Sequence, residues 1–126
     1  MNTAAVGVGS NIDPQNNIRK AKKLISEDHS LVKSSRFVRT KPIGYEHQDD
    51  FLNGALLVRT GLNKKQFINY LKKLENKLGR KRTHNKNGPR TIDLDVVIWN
   101  DKIIDQDCYE RDFLKNCLNE LGFKLK

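Results

Sequence analysis

The chain has 126 residues, enough for one domain with a real core but not for two. Its 24 Lys and Arg against 15 Asp and Glu give a net charge of +9, which points to an anionic partner: nucleic acid, an acidic membrane surface or a phosphorylated small molecule. Cys108 and Cys117 form no C-x-x-C and have no histidine at ligand spacing, so neither a zinc site nor a disulfide framework is indicated. No apolar run approaches membrane-spanning length, and no basic stretch followed by an apolar leader is seen, so a soluble cytoplasmic domain is expected.

Ala4 to Ser10 reads as a short first strand. Gly7 and Gly9 leave one face bare, open to a ligand or to tight packing under a helix. As a phosphate signal the pair is weak, lacking both a third glycine and a G-K-[ST]. Asp13-Pro14 reads as an N-cap and first helical position, followed by Ile18, Ala21, Leu24 and Ile25 at helical spacing. Leu31 to Val38 reads as a second strand. Thr40 to Asp50, punctuated by Pro42 and Gly44, reads as a long loop whose lone His47 has no assigned role.

Phe51 to Thr60 resumes as a strand, with Leu52, Gly54, Leu56 and Val58 on one face and Phe51, Asn53, Ala55 and Leu57 on the other. Asn63-x-x-Gln66 resembles a capping box. Phe67, Leu71, Leu74 and Leu78 then make an amphipathic stripe that stops at Gly79, with Glu75 near the stripe's edge. Arg80 to Gly88 is basic and aperiodic. In the strand that follows, Ile92, Leu94, Val96 and Ile98 point one way, and Asp93, Asp95, Val97 and Trp99 the other. A turn at Asn100-Asp101, a short Lys102–Ile104 segment and a helix carrying Phe113, Leu114, Cys117, Leu118 and Leu121 complete the chain.

Asp93 and Asp95 stand on one strand face about 7 Å apart and repel each other. A hard cation between them would remove that cost, since Mg²⁺ prefers one or two carboxylates plus substrate phosphates. Arg80, Lys81, Arg82, Lys86 and Arg90 lie just upstream, as a polyphosphate would need. The alternative is a solvated face in which the carboxylates pair with those same cations. The βαββαβ order predicts an α+β ferredoxin-like sandwich over residues 1–126: an antiparallel sheet with helices on one face, the other face free to stay open, plus a C-terminal helix.

Four segments together resemble the 6-hydroxymethyl-7,8-dihydropterin pyrophosphokinase family. They are Gly7-Val8-Gly9-Ser10-Asn11; Thr40 to Tyr45 with Gln48 and Phe51-Leu52-Asn53; Glu75 to Arg82; and Gly88 to Asp95. The resemblance implies transfer of a pyrophosphoryl group from ATP to the pterin hydroxymethyl oxygen, releasing AMP, in folate biosynthesis. It places two Mg²⁺ ions on Asp93 and Asp95 and catalytic charge neutralisation on Arg82 and Arg90, with Arg82 on a loop that closes over the site. It assigns Thr40, Pro42, Ile43, Phe51, Asn53 and Phe113 to the pterin and Glu75, Arg82, Arg90 and Arg111 to the nucleotide. The partners implied are ATP and the dihydropterin acting on a monomer, with neither nucleic acid nor membrane.

Relative to the family pattern, Asp105 to Glu110 is shorter than the segment that carries a histidine beside proline, and it holds no histidine. The domain is therefore expected to be shortened toward its C-terminus. The departure bears on the ATP side and keeps a second reading open, a relative that binds pterin or nucleotide without turning it over. A basic nucleic-acid binder on the same fold is a third, disfavoured by the absence of the RNA-recognition aromatic signature.

Overall fold

The computed structural model describes residues 1–41, 48–79, 91–106 and 111–124. Its elements are β1 (Asn2–Ser10), α1 (Pro14–Asp28), β2 (Ser30–Ser34), β3 (Val38–Thr40), β4 (Phe51–Thr60), α2 (Lys64–Lys77), β5 (Asp93–Trp99), β6 (Lys102–Ile103) and α3 (Asp112–Glu120). The strands form one sheet in the order β2-β4-β1-β5-β6, with β3 also pairing β4. Every pairing is antiparallel, and β1 lies at the centre between β4 and β5. This is the expected ferredoxin-like arrangement.

One sheet face takes the aliphatic set. Val6, Val8, Leu56, Val58, Leu94 and Val96 pack against Ile18, Ala21 and Ile25 of α1 and Phe67, Leu71 and Leu74 of α2. Most of these side chains lose nearly all contact with water. Each large one contributes about 1.5–3 kcal/mol of transfer free energy. Tyr70 donates to Asp28 Oδ2 at 2.8 Å and so ties α2 to the end of α1.

The opposite face does not stay open. α3 lies over it, burying Leu114, Cys117, Leu118 and Leu121 against Ala5, Ala55, Val97 and Ile98. The apolar face of this 9-residue helix has to be covered by something, and the sheet's back is the apolar surface available to it.

Strict alternation fails in β5, because the β1–β5 register slips between Ala5 and Val6, which face Ile98 and Val96. Val97 is the extra residue of this bulge. The bulge turns Ile98 onto the α3 face and Trp99 toward the α1–α2 core, the reverse of the expected facing.

The strand expected over Leu31 to Val38 is divided into β2 and β3. At the break Ser35 N–H donates to Ala55 O and Ser35 Oγ accepts from Ala55 N–H, both at 2.9 Å. Phe37 turns its ring onto Gly54, where a Cβ would sit 2.7 Å from the ring.

The start of α1 is where the sequence puts it, but the cap differs. Asp13 has a left-handed backbone (φ 42°) and makes no side-chain bond to the helix N–H groups; its carboxylate accepts from Asn16 Nδ2 instead. The Asn63–Gln66 capping box forms in full, and Gly79, at φ 92°, ends α2 as expected. Asn100 and Asp101, both at positive φ, make the two-residue turn between β5 and β6.

Candidate active site

The site face is laid out by sheet register. Gly9 lies between Asn53 on β4 and Asp93 on β5, and Gly7 lies between Ala55 and Asp95. Thr40 pairs with Phe51, two residues from Asn53, so Thr40, Phe51 and Asn53 share this face with both aspartates. Periodicity alone leaves this grouping open, and the sheet register decides it. The two glycines serve different ends. A Cβ on Gly7 would meet Val97 Cγ1 at 3.5 Å and Leu114 Cδ1 at 3.9 Å, ordinary packing beneath α3. A Cβ on Gly9 would fall 2.6 Å from Asn53 Oδ1, so only glycine lets that amide lie across β1. Asn53 Nδ2 in turn donates to Thr40 Oγ1, which fixes the amide's direction.

Two clefts meet at the aspartates. One lies between the sheet and α3, over Gly7 and Gly9, and is bordered by Asn53, Asp93, Asp95, Asp105, Arg111 and Phe113. It holds about 70 Å³, so a bicyclic ring enters only if a wall side chain turns aside. The other, about 530 Å³, runs along the outer edge of β5 between Leu71, Lys72 and Glu75 of α2 and the Ile104–Gln106 segment. Asp93 and Asp95 line both.

Glu75 is buried, with 2 % exposure, whereas a glutamate at the edge of such a stripe is usually solvent-facing. Its Oε2 accepts the Leu94 N–H at 2.7 Å. β6 pairs only with Ile98 and Trp99, so the carboxylate takes the place of a neighbouring strand at that point.

Arg111 stands at the N-cap of α3, and Phe113 is in its first turn. Both border the inner cleft, although the family resemblance gave Phe113 to the pterin and Arg111 to the nucleotide. Asp105 is a residue the sequence reading missed. It is brought beside the aspartates because Ile104 and Asp105 both donate to the carbonyl of the bulged Val97, at 2.9 and 3.4 Å. No periodicity announces a bulge, so no local signal marked it. Pro42, Ile43, His47, Arg80, Lys81, Arg82, Lys86, Arg90 and Cys108 lie outside the described residues.

The approach to β5 is also fixed. Ser10 Oγ donates to Thr91 O at 2.6 Å, and the buried Asn11 donates to Gln48 Oε1 and to Asp49 O at 2.7 and 3.0 Å. These bonds hold the ends of β1, β4 and β5 in one place.

As a metal site the donor set is lean. Among the described residues no group of three or more His, Cys, Asp or Glu is arranged to enclose an ion. Two carboxylates on one strand, bordering a cleft roomy enough for a nucleotide, fit a Mg²⁺ ion completed by phosphate oxygens and water.

The sequence model of the 7,8-dihydro-6-hydroxymethylpterin-pyrophosphokinase family matches residues 5–122. The chain belongs to this family. A Bacillus subtilis relative named 2-amino-4-hydroxy-6-hydroxymethyldihydropteridine pyrophosphokinase is 35% identical over 131 residues, covering 95% of this chain and 78% of its own length. A Haemophilus influenzae protein of the same name is 34% identical over 136 residues, covering 99% and 84%. A Dictyostelium discoideum folic acid synthesis protein, FOL1, is 32% identical over 130 residues, 96% of this chain but 20% of that longer one. No helix among the described residues is long and apolar enough to cross a membrane.

Proposed function

We propose that the protein transfers the pyrophosphoryl group of ATP to the hydroxymethyl oxygen of 6-hydroxymethyl-7,8-dihydropterin, giving the pterin diphosphate and AMP in folate biosynthesis. The observation that carries this reading is the place of Asp93 and Asp95 on the border between two clefts, one along α2 and one under α3. A nucleotide in the outer cleft, beside Glu75 and Lys72, would lay its phosphates across the carboxylates toward a pterin in the inner one. There Asn53 and Thr40 offer polar contacts to the ring edge, and Phe51 and Phe113 offer aromatic surfaces.

Asp93 and Asp95 would hold the Mg²⁺, two ions on the family pattern. When bound, these neutralise phosphate charge and polarise the transferring group. The chain's own residues do the rest. Asn53 orients the ring, Arg111 lies within reach of an anionic group at the cleft mouth, and the glycine floor lets the ring approach main chain closely. Arg82 and Arg90 supply further positive charge on the nucleotide side. By their match to the family motif, Pro42 and Ile43 would contribute to pterin binding. The enzyme works as a cytoplasmic monomer on these two small molecules, without nucleic acid or membrane.

The test is direct. Protein incubated with the dihydropterin alcohol, ATP and Mg²⁺ forms AMP and pterin diphosphate in equal amounts, resolved by HPLC. Pterin binding by calorimetry without AMP formation would establish instead a relative that holds its ligand and does not turn it over.

A further inference from the structure

The inner cleft is narrow, so where α3 sits decides what the cleft admits. Leu114, Cys117, Leu118 and Leu121 press α3 onto the sheet, but apolar contact alone leaves a helix free to slide or tilt. Directional contacts to Arg36 hold its far end. Glu120 Oε1 accepts from the Arg36 backbone N–H at 3.0 Å and from Arg36 Nε at 3.4 Å, while Cys117 Sγ donates to Arg36 O at 3.6 Å.

The guanidinium is 87% exposed and adds little by itself. The backbone N–H is different. It belongs to the break between β2 and β3, where Ser35 on one side is bonded to Ala55 and Phe37 on the other is seated over Gly54. Arg36 is therefore a fixed point, two strand positions from the segment that carries Thr40 into the pterin wall. The placing of Glu120 is also wrong for the helix itself. A carboxylate in the last turn faces the negative end of the dipole, which is unfavourable for the helix alone. The tertiary contact explains it where helix stability does not.

We infer that Glu120 is a positioning residue for the pterin slot: by pinning the C-terminal end of α3 to the Arg36 backbone, it sets the distance of Phe113 and Arg111 at the other end from the Thr40–Asn53 wall. The inference rests on the pterin reading of the inner cleft. It extends that reading to a residue outside the cleft that touches no substrate. α3 is about 13 Å long, so a small tilt at Glu120 becomes a change of wall position at Phe113.

Two measurements on the full chain test it. In a Cys108→Ser background, labelling of the buried Cys117 by a thiol reagent reads the anchoring alone. Equilibrium binding of 6-hydroxymethylpterin, followed by its fluorescence, reads the slot. Glu120→Ala should label faster and bind the pterin on the order of fivefold more weakly, with a smaller loss of nucleotide affinity through Arg111 and a Tm close to wild type. Glu120→Gln, which keeps an oxygen for the Arg36 N–H, should restore both readings. Unchanged labelling, unchanged pterin affinity, equal loss of pterin and nucleotide affinity, or failure of the Gln variant to restore each overturns the inference. Wild-type protein that does not bind pterin overturns the functional reading and the slot with it. Wild type that binds, beside an Ala variant that binds equally, overturns only the role of Glu120.

Discussion

Under α1 and α2, β1 contributes Ala4, Val6 and Val8; under α3, the same strand contributes Ala5, Gly7 and Gly9. β5 divides in the same way, with Leu94 and Val96 on one side and Asp93 and Asp95 on the other. The first face is filled by large aliphatics meeting two helices, and its contribution is stability. On the second, packing stops partway: α3 covers the half around Ala5, Ala55 and Val97, and the other half is left to glycine, asparagine and aspartate. A sheet can thus keep its stability on one face and leave the other for chemistry, because neighbouring residues of one strand answer to different surroundings.

The widest separation of the two faces should come from Asp95→Ala. Removing a carboxylate that lines both clefts should lower turnover on the order of a thousandfold. The thermal midpoint should stay within a few degrees of wild type, since no apolar packing is lost; steady-state kinetics beside calorimetry check both halves. Phe67→Ala is the converse. The ring is fully buried between the helices and the sheet, and its loss should cost about 3–5 kcal/mol in denaturant unfolding. Turnover per folded molecule should be unchanged at low temperature.

A finer comparison lies within the site face. Gly9→Ala forces the Asn53 amide off its place and away from Thr40, so pterin affinity should fall on the order of tenfold. Gly7→Ala has room for its methyl and should bind nearly as wild type, which fluorescence titration of the two variants would show.

The smallest effect belongs to the helical face. His29 sits edge-on to Phe67 and Tyr70, and burial lowers its pKa against the opposing pull of Asp28. The unfolded chain therefore takes up the proton first. Stability should be full above about pH 6.5 and decline modestly as the pH falls toward the lowered folded value. Urea unfolding from pH 7.5 to 5 should show the decline, and His29→Gln should flatten it.

Much of this was legible from residue order. The alternation in β4, the capping box at Asn63, the stop at Gly79, the turn at Asn100-Asp101 and the shared face of Asp93 and Asp95 all follow from period and local chemistry, and each is found. What escaped depends on contacts distant in sequence. Nothing near Ser35 states that its hydroxyl will replace a strand bond to Ala55. The burial of Glu75 goes with its bond to the Leu94 N–H on the outer edge of β5, 19 residues away. The bulge at Val97 is fixed by β1, and with it go the facing of Ile98 and Trp99 and the arrival of Asp105.

That supernumerary valine has a consequence for how the strand can change. Without it, a two-residue rhythm would tie the aspartates and the aliphatics of β5 into one phase, and any insertion upstream would swing both. The slip uncouples them. Asp93 and Asp95, before Val97, can change to suit a different ligand while Ile98 stays against α3 and Trp99 against the α1–α2 core, so the cleft-lining and the packing positions of a single strand can evolve on separate schedules.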